Sequence, residues 1–305
     1  MTRAKQTRQI MQMSIPQWEK AFPDEAACDA YLIANRWPDG VSCPRCGSDR
    51  VYALKTMENK WECPDCREGG AYRFSHLVGT IFENTNVNLR EWFRVIHMML
   101  TSKKGISARQ VHRVMGFGSY KTAWYMCHRI RVALQDKEFK QLLGIVEVDE
   151  TFIGGKNKNR HWDKRGPGTG GGTGSGKTPV IGAVSRKGNI VARVIASTDT
   201  KTYDAFVRET VSTKVSLLTT DEHSAYRLLG DQYPHKFVSH GKGQYVVGAV
   251  HTQTIEGFWS QLKRSIVGIH HNVSRKYLPL YVAERSFVYN NRNNEDIFGA
   301  AIAGV

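Results

Sequence analysis

The spacing of apolar residues divides the chain into a helical first part and a second part in which strands dominate. Before about residue 135, apolar positions recur every three or four residues, which is the period of an amphipathic helix. One such stripe consists of Trp92, Phe93, Ile96, Met99 and Leu100. Another helix is predicted just after Pro23, where apolar residues at 27, 28, 31 and 32 follow a proline suited to a helix start.

From residue 144 the pattern changes to short apolar runs, which are typical of strands. Three consecutive strands are predicted over 144–152, 179–186 and 189–197, the last two joined by a tight turn. The elements predicted after them are a helix over 201–212, a strand over 215–221, a short helix over 224–229, a strand over 236–239 and a long helix over 253–268. This element order is that of a ribonuclease-H-like fold, so the predicted class is α/β.

Two short helical segments joined by a glycine turn precede these strands. Ser107 and Ser119 are each suited to cap a helix, and residues 116–118 form the turn between them. This pattern predicts a helix-turn-helix, whose second helix would lie in a DNA major groove. The residues predicted to contact DNA are Ser119, Tyr120 and Thr122 near base edges, and Lys121, Arg129 and Arg131 at phosphates. The alternative is an ordinary helical hairpin within a core.

Four of the six cysteines form two Cys-x-x-Cys pairs, Cys43 with Cys46 and Cys63 with Cys66. Two such pairs at this separation predict a structural zinc site with four thiolate ligands. Hairpin strands are predicted at 51–54 and 60–62 between the pairs, so the segment is interpreted as a zinc ribbon. Redox-active cysteines are the less favoured alternative.

The charge of the chain favours a polyanionic partner. Its formal net charge is +15 and its isoelectric point is about 9.6, which is typical of proteins that bind nucleic acid or an anionic membrane surface. No apolar run of about 18 residues and no signal peptide is visible, so we expect an intracellular protein without a membrane partner.

Three carboxylates occupy positions suited to metal-dependent phosphodiester chemistry. Asp149 and Asp221 lie at the ends of predicted strands, and Glu256 lies on the long helix. Such groups hold two magnesium ions, which activate an attacking oxygen and stabilise a leaving one. Strand periodicity puts Glu147 on the face of Asp149 as an accessory candidate, and Glu150 on the other face. The alternative is that all three are ordinary solvated or strand-end carboxylates.

Two basic residues on the same helix are predicted to meet DNA next to these carboxylates. Lys263 lies two turns after Glu256, offset by roughly 20°, and is predicted to hold a phosphate. Arg264 is included with it in the predicted DNA-binding set.

A glycine-rich tract, 171–178, matches the phosphate-binding-loop expression literally. We reject that interpretation because a strand, not a helix, is predicted after it. A flexible insertion explains the glycines better. Basic residues nearby are predicted to close on DNA phosphates: Lys156, Lys158, Arg160, Lys164 and Arg165.

Several segments together resemble bacterial insertion-sequence transposases of the IS1595 superfamily. They are the cysteine pairs, the stretches starting at Gly105 and Tyr120, Val146–Thr151, and His251–Arg264. The resemblance spans about 20–295 and implies a ribonuclease-H-like DDE domain that cleaves and joins DNA at inverted repeats. It carries Asp149 and Asp221 over as catalytic residues. Relatives often have Asn at the position of Gln253, so Gln253 is the alternative to Glu256 as third residue.

The resemblance also implies cofactors, partners and location. We expect two Mg²⁺ or Mn²⁺ ions in catalysis and one structural Zn²⁺. Double-stranded DNA, as inverted repeats and as target, is the expected partner, bound by a homodimer or larger assembly in the bacterial cytoplasm at the nucleoid. The alternatives are a DNA-binding protein with a vestigial nuclease fold and a stand-alone nuclease.

Five regions are predicted along the chain: an N-terminal helical segment (1–40), a zinc ribbon (41–75), a helix-turn-helix region (85–140), a catalytic domain (144–270) and a C-terminal helical tail (271–305).

Overall fold

The computed structural model describes residues 13–66, 71–136, 139–155, 161–164, 176–222, 226, 229, 231–238 and 251–304. The fold is mixed α/β, and the chain divides into two compact units. The first comprises Met1–Leu134 with Asn293–Val305, and the second comprises Gln135–Arg292. Within the described ranges, no helix is both long and apolar enough to cross a membrane.

The described part of the first unit contains six helices and an aromatic core. They are α1 (Ile15–Ala21), α2 (Glu25–Arg36), α3 (Leu89–Thr101), α4 (Ala108–Met115), α5 (Tyr120–Ala133) and the last helix of the chain, α9 (Ile297–Ala303). The helix predicted after Pro23 is α2, whose first turn is capped by the Asp24 carboxylate. The rings of Phe22, Phe93 and Phe298 meet with centroid distances of 5.1–5.5 Å. These contacts hold α9 in the first unit.

The segment predicted as one C-terminal helical tail, 271–305, is divided between the two units. Helix α8 (Leu278–Asn290) belongs to the second unit, where Leu278 and Val282 join its core. Helix α9 belongs to the first unit because Phe298 packs on the aromatic rings there.

The cysteine-rich segment forms a small antiparallel sheet in the order β1-β2-β3. Its strands are β1 (Tyr52–Ala53), β2 (Lys60–Cys63) and β3 (Tyr72–Ser75). The first two correspond to the predicted hairpin, and β3 adds a third strand. Trp61 and Phe74 are cross-strand partners with stacked rings 6.0 Å apart. These rings give the ribbon an apolar core beside its cysteines.

The caps and turn predicted around α4 and α5 are confirmed. Ser107 Oγ accepts a hydrogen bond from the Gln110 backbone N–H, and Ser119 Oγ accepts one from that of Lys121. Gly116 ends α4 with φ = +67°, a left-handed conformation that glycine adopts without steric cost.

A five-stranded mixed sheet with strand order β6-β5-β4-β7-β8 forms the centre of the second unit. The strands are β4 (Ile145–Ile153), β5 (Thr178–Ser185), β6 (Ile190–Val194), β7 (Leu217–Asp221) and β8 (His235–Val238). Strands β4, β5 and β6 pair antiparallel, whereas β7 is parallel to β4 and β8 is parallel to β7. Strand β4, the first strand of this sheet in chain order, is therefore central.

Helices cover both faces of this sheet. Helix α6 (Thr200–Thr210) packs on the face of Val146 and Val148, whereas α7 (Gln253–Ser265) and α8 pack on the other. A π-helical turn, Ile266–His270, follows α7. The core-facing stripe predicted for α7 is confirmed, since all its members are buried: Ile255, Phe258, Trp259, Leu262 and Ile266.

Three predictions fall largely outside the described residues. In the glycine-rich tract only 176–178 are described, and Thr178 is the first residue of β5. A strand follows the tract, as the rejection of a phosphate-binding loop requires. Of the basic residues predicted nearby, Lys156, Lys158, Arg160 and Arg165 lie outside the described ranges, and Lys164 ends a 3₁₀ turn. Only Tyr226 and Leu229 of the predicted helix 224–229 are described.

Candidate active site and zinc site

Asp149 and Asp221 come from neighbouring parallel strands of the central sheet. The last recorded pair between β4 and β7 is Glu147 with Thr219, so the two aspartates lie two residues beyond it. Oxygen atoms of Asp149, Glu150 and Asp221 all lie within 4.8 Å of one another. The sheet thus brings together two predicted catalytic residues and one further acid.

The pKa of Asp149 reflects this crowding of acids. Burial, the charge of Glu150 and the charge of Asp221 together raise the pKa of Asp149 to about 8, although hydrogen bonds from the Glu150 backbone and the Trp259 indole oppose the rise. A divalent cation would relieve both the repulsion and the desolvation. Magnesium and manganese prefer such carboxylate oxygens. The residues present therefore fit a divalent metal.

Glu150 is a member of this acidic group that strand periodicity did not predict. Alternation along β4 places Glu150 on the face of Val148, opposite Asp149. Its carboxylate nevertheless reaches the group, and its Oε2 accepts a hydrogen bond of 2.9 Å from the Tyr226 hydroxyl. Tyr226 is 1% exposed, so this hydrogen bond is buried. The sequence did contain a signal for Glu150: it directly follows Asp149, on a strand whose neighbour β7 ends at Asp221.

Neither helix residue predicted for the third position belongs to the acidic group. Glu256 lies in the first turn of α7, is exposed, and accepts a hydrogen bond of 2.8 Å from Thr252 Oγ1. Gln253 is the first residue of α7 and is also exposed. The acidic group formed by the described residues contains Asp149, Glu150 and Asp221 but not Glu256, and Gln253 carries no carboxylate.

Glu147, predicted as an accessory group at the metals, instead anchors helix α7. It is 0% exposed, and its Oε2 accepts the backbone N–H groups of Thr254 at 2.8 Å and Ile255 at 3.1 Å. Its Oε1 accepts from Arg186 Nε at 2.7 Å and from the Thr254 hydroxyl at 2.9 Å. Both oxygens are thus engaged at the positive end of a helix, and an accessory role of Glu147 at the metals stays a prediction.

The four ribbon cysteines have the geometry of a zinc site. The Sγ atoms of Cys43 and Cys66 are 3.8 Å apart, those of Cys46 and Cys63 are 3.7 Å apart, and all four thiols are free. A tetrahedron with Zn–S bonds of ~2.3 Å has edges of about 3.8 Å. The chain therefore holds a structural zinc site, and its closed set of ligands gives it a role in folding.

Proton affinities in the ribbon are uneven. Burial raises the pKa of Cys43, but hydrogen bonds from the backbone N–H groups of Cys46 and Arg45 outweigh it and lower that pKa to about 7. Burial and the neighbouring thiols raise the pKa of Cys66 to about 12. Zinc binding must therefore displace protons from some of these thiols.

Most residues predicted to contact DNA lie at the surface of the protein. Ser119, Tyr120 and Lys121 are exposed at the start of α5, and Thr122 is half-buried. Lys263 and Arg264 are exposed on α7, where Arg264 donates to the Ser260 hydroxyl. These positions remain predicted DNA contacts.

Two arginines of α5 that were predicted to contact phosphates are engaged or buried within the protein. Arg131 is 1% exposed, so its guanidinium lies inside the first unit. Arg129 is half-buried, donates to the carbonyl of Glu83 at 2.9 Å and lies over the ring of Trp92. The two residues are two positions apart and so lie on different sides of α5, where each is held by the protein in its own way. Phosphate contacts by Arg129 and Arg131 stay predictions. For Arg131, the sequence signal for burial was its place four residues after the buried Cys127.

Comparisons with known proteins give consistent matches. The family described as ISXO2-like transposase domain matches residues 141–290, and the family described as transposase zinc-ribbon domain matches residues 23–69. An uncharacterized protein in transposable element ISH50 of Halobacterium salinarum is 30% identical over 277 residues, covering 86% of this chain and 90% of that protein.

Among solved structures, one match is a chain in the cryo-EM structure of the simian T-cell lymphotropic virus intasome in complex with PP2A regulatory subunit B56 gamma. It is 14% identical and covers 58% of this chain and 67% of that chain. Its TM-score is 0.28, which is too low to carry an argument.

Proposed function

The chain belongs to the IS1595 family of transposases, and on that premise we propose that it binds the inverted repeats of an insertion sequence, cleaves them and joins them to target DNA. The observation that carries this proposal is the meeting of Asp149 and Asp221 at the centre of the sheet, with a divalent-metal ligand set around them. A ribbon and a pair of capped helices accompany this site on a chain of net charge +15.

We propose that the second unit has a ribonuclease-H-like fold. The sheet order supports this assignment, because three antiparallel strands are followed in the chain by two parallel ones on the other side of β4. In this arrangement β4 is central, and its Asp149 would be a metal ligand. The Asp221 carboxylate at the end of β7 would contribute from the adjacent strand.

Phosphodiester cleavage and strand transfer require an activated oxygen nucleophile and a stabilised leaving oxygen. A bound pair of Mg²⁺ or Mn²⁺ ions supplies both effects in an in-line displacement. Asp149 and Asp221 would hold the metals. Lys263 and Arg264, exposed on α7, would hold the phosphates that flank the reacting bond.

We retain Glu256 as the proposed third catalytic residue. It lies one turn before Trp259, whose indole contacts Asp149, and positions 256 and 259 differ by about 60° around the helix. A rotamer change of Glu256 that breaks its hydrogen bond with the Thr252 hydroxyl would turn the Glu256 carboxylate and allow it to act as the third ligand. Gln253 and Glu150 are the competing residues, the first by its place on α7 and the second by its place in the acidic group.

For end recognition we propose that α4 and α5 act as a helix-turn-helix. The exposed start of α5, with Ser119, Tyr120 and Lys121, would enter the major groove. Pairing of two transposon ends implies a homodimer or larger assembly on DNA, at the bacterial nucleoid. The exclusion of Glu256 from the acidic group favours one alternative, a DNA-binding protein with a vestigial nuclease site.

An assay with purified protein, Mg²⁺ and labelled end DNA tests the proposal. We expect Asp149→Ala and Asp221→Ala to bind end DNA normally and to lose about 1000-fold or more in cleavage, equivalent to ~4 kcal/mol of transition-state stabilisation. Asp231→Ala, an exposed aspartate of the same unit, is the matched control and should cleave normally. DNA binding without cleavage by the wild type would favour the vestigial alternative. Cleavage without joined products would favour a stand-alone nuclease.

The third residue is identified in the same assay with Glu256→Ala, Gln253→Ala and Glu150→Ala. Loss of cleavage in Glu256→Ala alone would support the proposed set. If Glu256→Ala cleaves normally, the variant that fails instead identifies the third residue.

A further inference from the structure

A glycine opens a slot beside the candidate metal ligand Asp149. Gly182 on β5 is the direct cross-strand partner of Asp149 on β4. A Cβ atom at Gly182 would lie 2.7 Å from Cη2 and 2.9 Å from Cζ2 of the Trp259 indole, distances that real Cβ atoms do not tolerate. Glycine weakens the interior of a strand and often marks a place where another group approaches closely.

Trp259 fills this slot from helix α7. It is 3% exposed, and its Nε1–H donates a hydrogen bond of 3.0 Å to Oδ2 of Asp149. Its ring packs against Phe258 at 5.2 Å, and Ile255 reaches the same glycine. The indole therefore packs beside an apolar ring, and its single polar atom donates to the carboxylate.

We propose that Trp259 is a positioning residue for the metal site, which holds the Asp149 carboxylate in a ligand orientation through this bond. This inference rests on the proposed function, in which Asp149 and Asp221 bind divalent metal. The reason a brace is needed is electrostatic. Asp149 is crowded by Glu150 and Asp221, and once Asp149 has lost its proton to bind metal, mutual repulsion turns an unrestrained carboxylate away from its neighbours. The hydrogen bond from the indole N–H to Oδ2 opposes that rotation. The other carboxylate oxygen, Oδ1, takes no part in the hydrogen bond with Trp259.

The same contact links the two elements that carry proposed catalytic residues. Trp259 lies one turn after Glu256 on α7, and its hydrogen bond ends on β4. Because the indole is wedged over Gly182, α7 cannot slide along the sheet without breaking the bond to Asp149. Trp259 therefore sets the register between the strand and the helix of the site.

Trp259→Phe removes the indole N–H and tests the inference directly. The measurement is Mn²⁺ affinity of the full-length, zinc-loaded protein, determined by electron paramagnetic resonance of free Mn²⁺ at neutral pH. Loss of a group that orients a metal ligand typically weakens affinity 10–100-fold, and we expect about a tenfold loss here. This readout does not depend on cleavage activity.

Trp92→Phe is the matched control. Trp92 is 2% exposed and its Nε1–H donates a bond of 2.9 Å to Thr85 Oγ1 in the first unit. This variant also loses a buried indole hydrogen bond, so its stability should fall by a similar amount. Its Mn²⁺ affinity should stay at the wild-type value, which separates positioning from general destabilisation.

Gly182→Ala provides a second, independent variant. The added methyl group would displace the indole, so we expect a loss of Mn²⁺ affinity similar to that of Trp259→Phe. A phenyl ring lacks the Cη2 and Cζ2 atoms that the methyl group would meet. The double variant Trp259→Phe/Gly182→Ala should therefore lose much less Mn²⁺ affinity than the sum of the losses in the two single variants.

The outcomes separate this inference from the proposed function. If the wild type binds Mn²⁺ and Asp149→Ala does not, but Trp259→Phe and Gly182→Ala both bind normally, the positioning role is rejected and the metal site stands. If the wild type binds no Mn²⁺, the metal site itself is rejected, and the positioning role falls with it. Should circular dichroism show that Trp259→Phe is unfolded, the Gly182→Ala result decides.

Discussion

At the scale of single residues, the candidate site is a group of closely spaced acids in which each carboxylate affects the proton affinity of its neighbours. Asp149 shows this most clearly, since burial and the charges of Glu150 and Asp221 raise its pKa to about 8. In the metal-free protein at neutral pH, Asp149 is therefore largely protonated. Metal binding must release that proton, so metal affinity should increase with pH.

The same shift predicts how the stability of the metal-free protein depends on pH. The pKa of Asp149 is about 8 in the folded state, whereas an aspartate ordinarily has a pKa of 3.8, so the stability it contributes is complete below pH 4 and lost as pH rises through 8. Asp149→Asn escapes this loss. Between pH 6 and pH 9 the variant should gain roughly 2–3 kcal/mol relative to wild type.

Thermal unfolding followed by circular dichroism at the two pH values measures this gain. Asp231→Asn, which alters an exposed carboxylate, should show no such change. Saturating Mg²⁺ should stabilise the wild type at pH 9 and leave Asp149→Asn unaffected. An equal response of both proteins to pH would contradict the assigned pKa.

At the scale of elements, the decisive contact is the one that fixes the start of α7 on β4. Glu147 receives two backbone N–H groups of the helix, one hydroxyl and one guanidinium, all inside the protein. Its removal would leave the first turn of α7 without acceptors and Arg186 without its carboxylate.

We expect Glu147→Ala to destabilise the second unit by about 3–5 kcal/mol, the typical cost of breaking a buried ion pair from one side. The matched control is Glu209→Ala, which breaks a pair with Arg193 whose two side chains are 54% and 39% exposed. That exposed pair should contribute at most about 1 kcal/mol. Denaturant unfolding of both variants measures the difference, and equal losses would show that Glu147 is not an anchor.

Sequence predicts the local features of these elements well and the tertiary ones poorly. The caps at Ser107 and Ser119 and the zinc ligands depend on spacings of a few residues, which the sequence displays directly. Glu150 was missed because a long side chain can reach around the edge of its strand. The burial of Arg131 on α5 was not foreseen, because the protein-facing side of a short helix is set by packing partners far away in sequence.

At the scale of the whole molecule, the two units have different requirements for metal. The ribbon of the first unit needs zinc for folding, since its four thiols meet around one point and its strands are short. The second unit has its own core on both faces of a five-stranded sheet. Loss of zinc should therefore affect the first unit selectively.

Zinc chelation should lower the unfolding temperature of one transition and leave another unchanged. Calorimetry of the protein with and without a strong zinc chelator measures this, and Cys63→Ser should reproduce the chelator effect without any additive. Elemental analysis should give one zinc per chain for the wild type and none for the variant. A single transition that shifts as a whole would show that the two units unfold together.

The membership of α9 in the first unit affects when each unit can complete its fold during synthesis. Phe298 completes the aromatic core that Phe22 and Phe93 begin, yet the ribosome reaches it only after the whole of Gln135–Arg292. At 5–20 residues per second, that interval is about 10–30 s. All residues of the second unit are therefore synthesised before the first unit is complete. The first unit cannot finish its aromatic core until helix α9 has been translated.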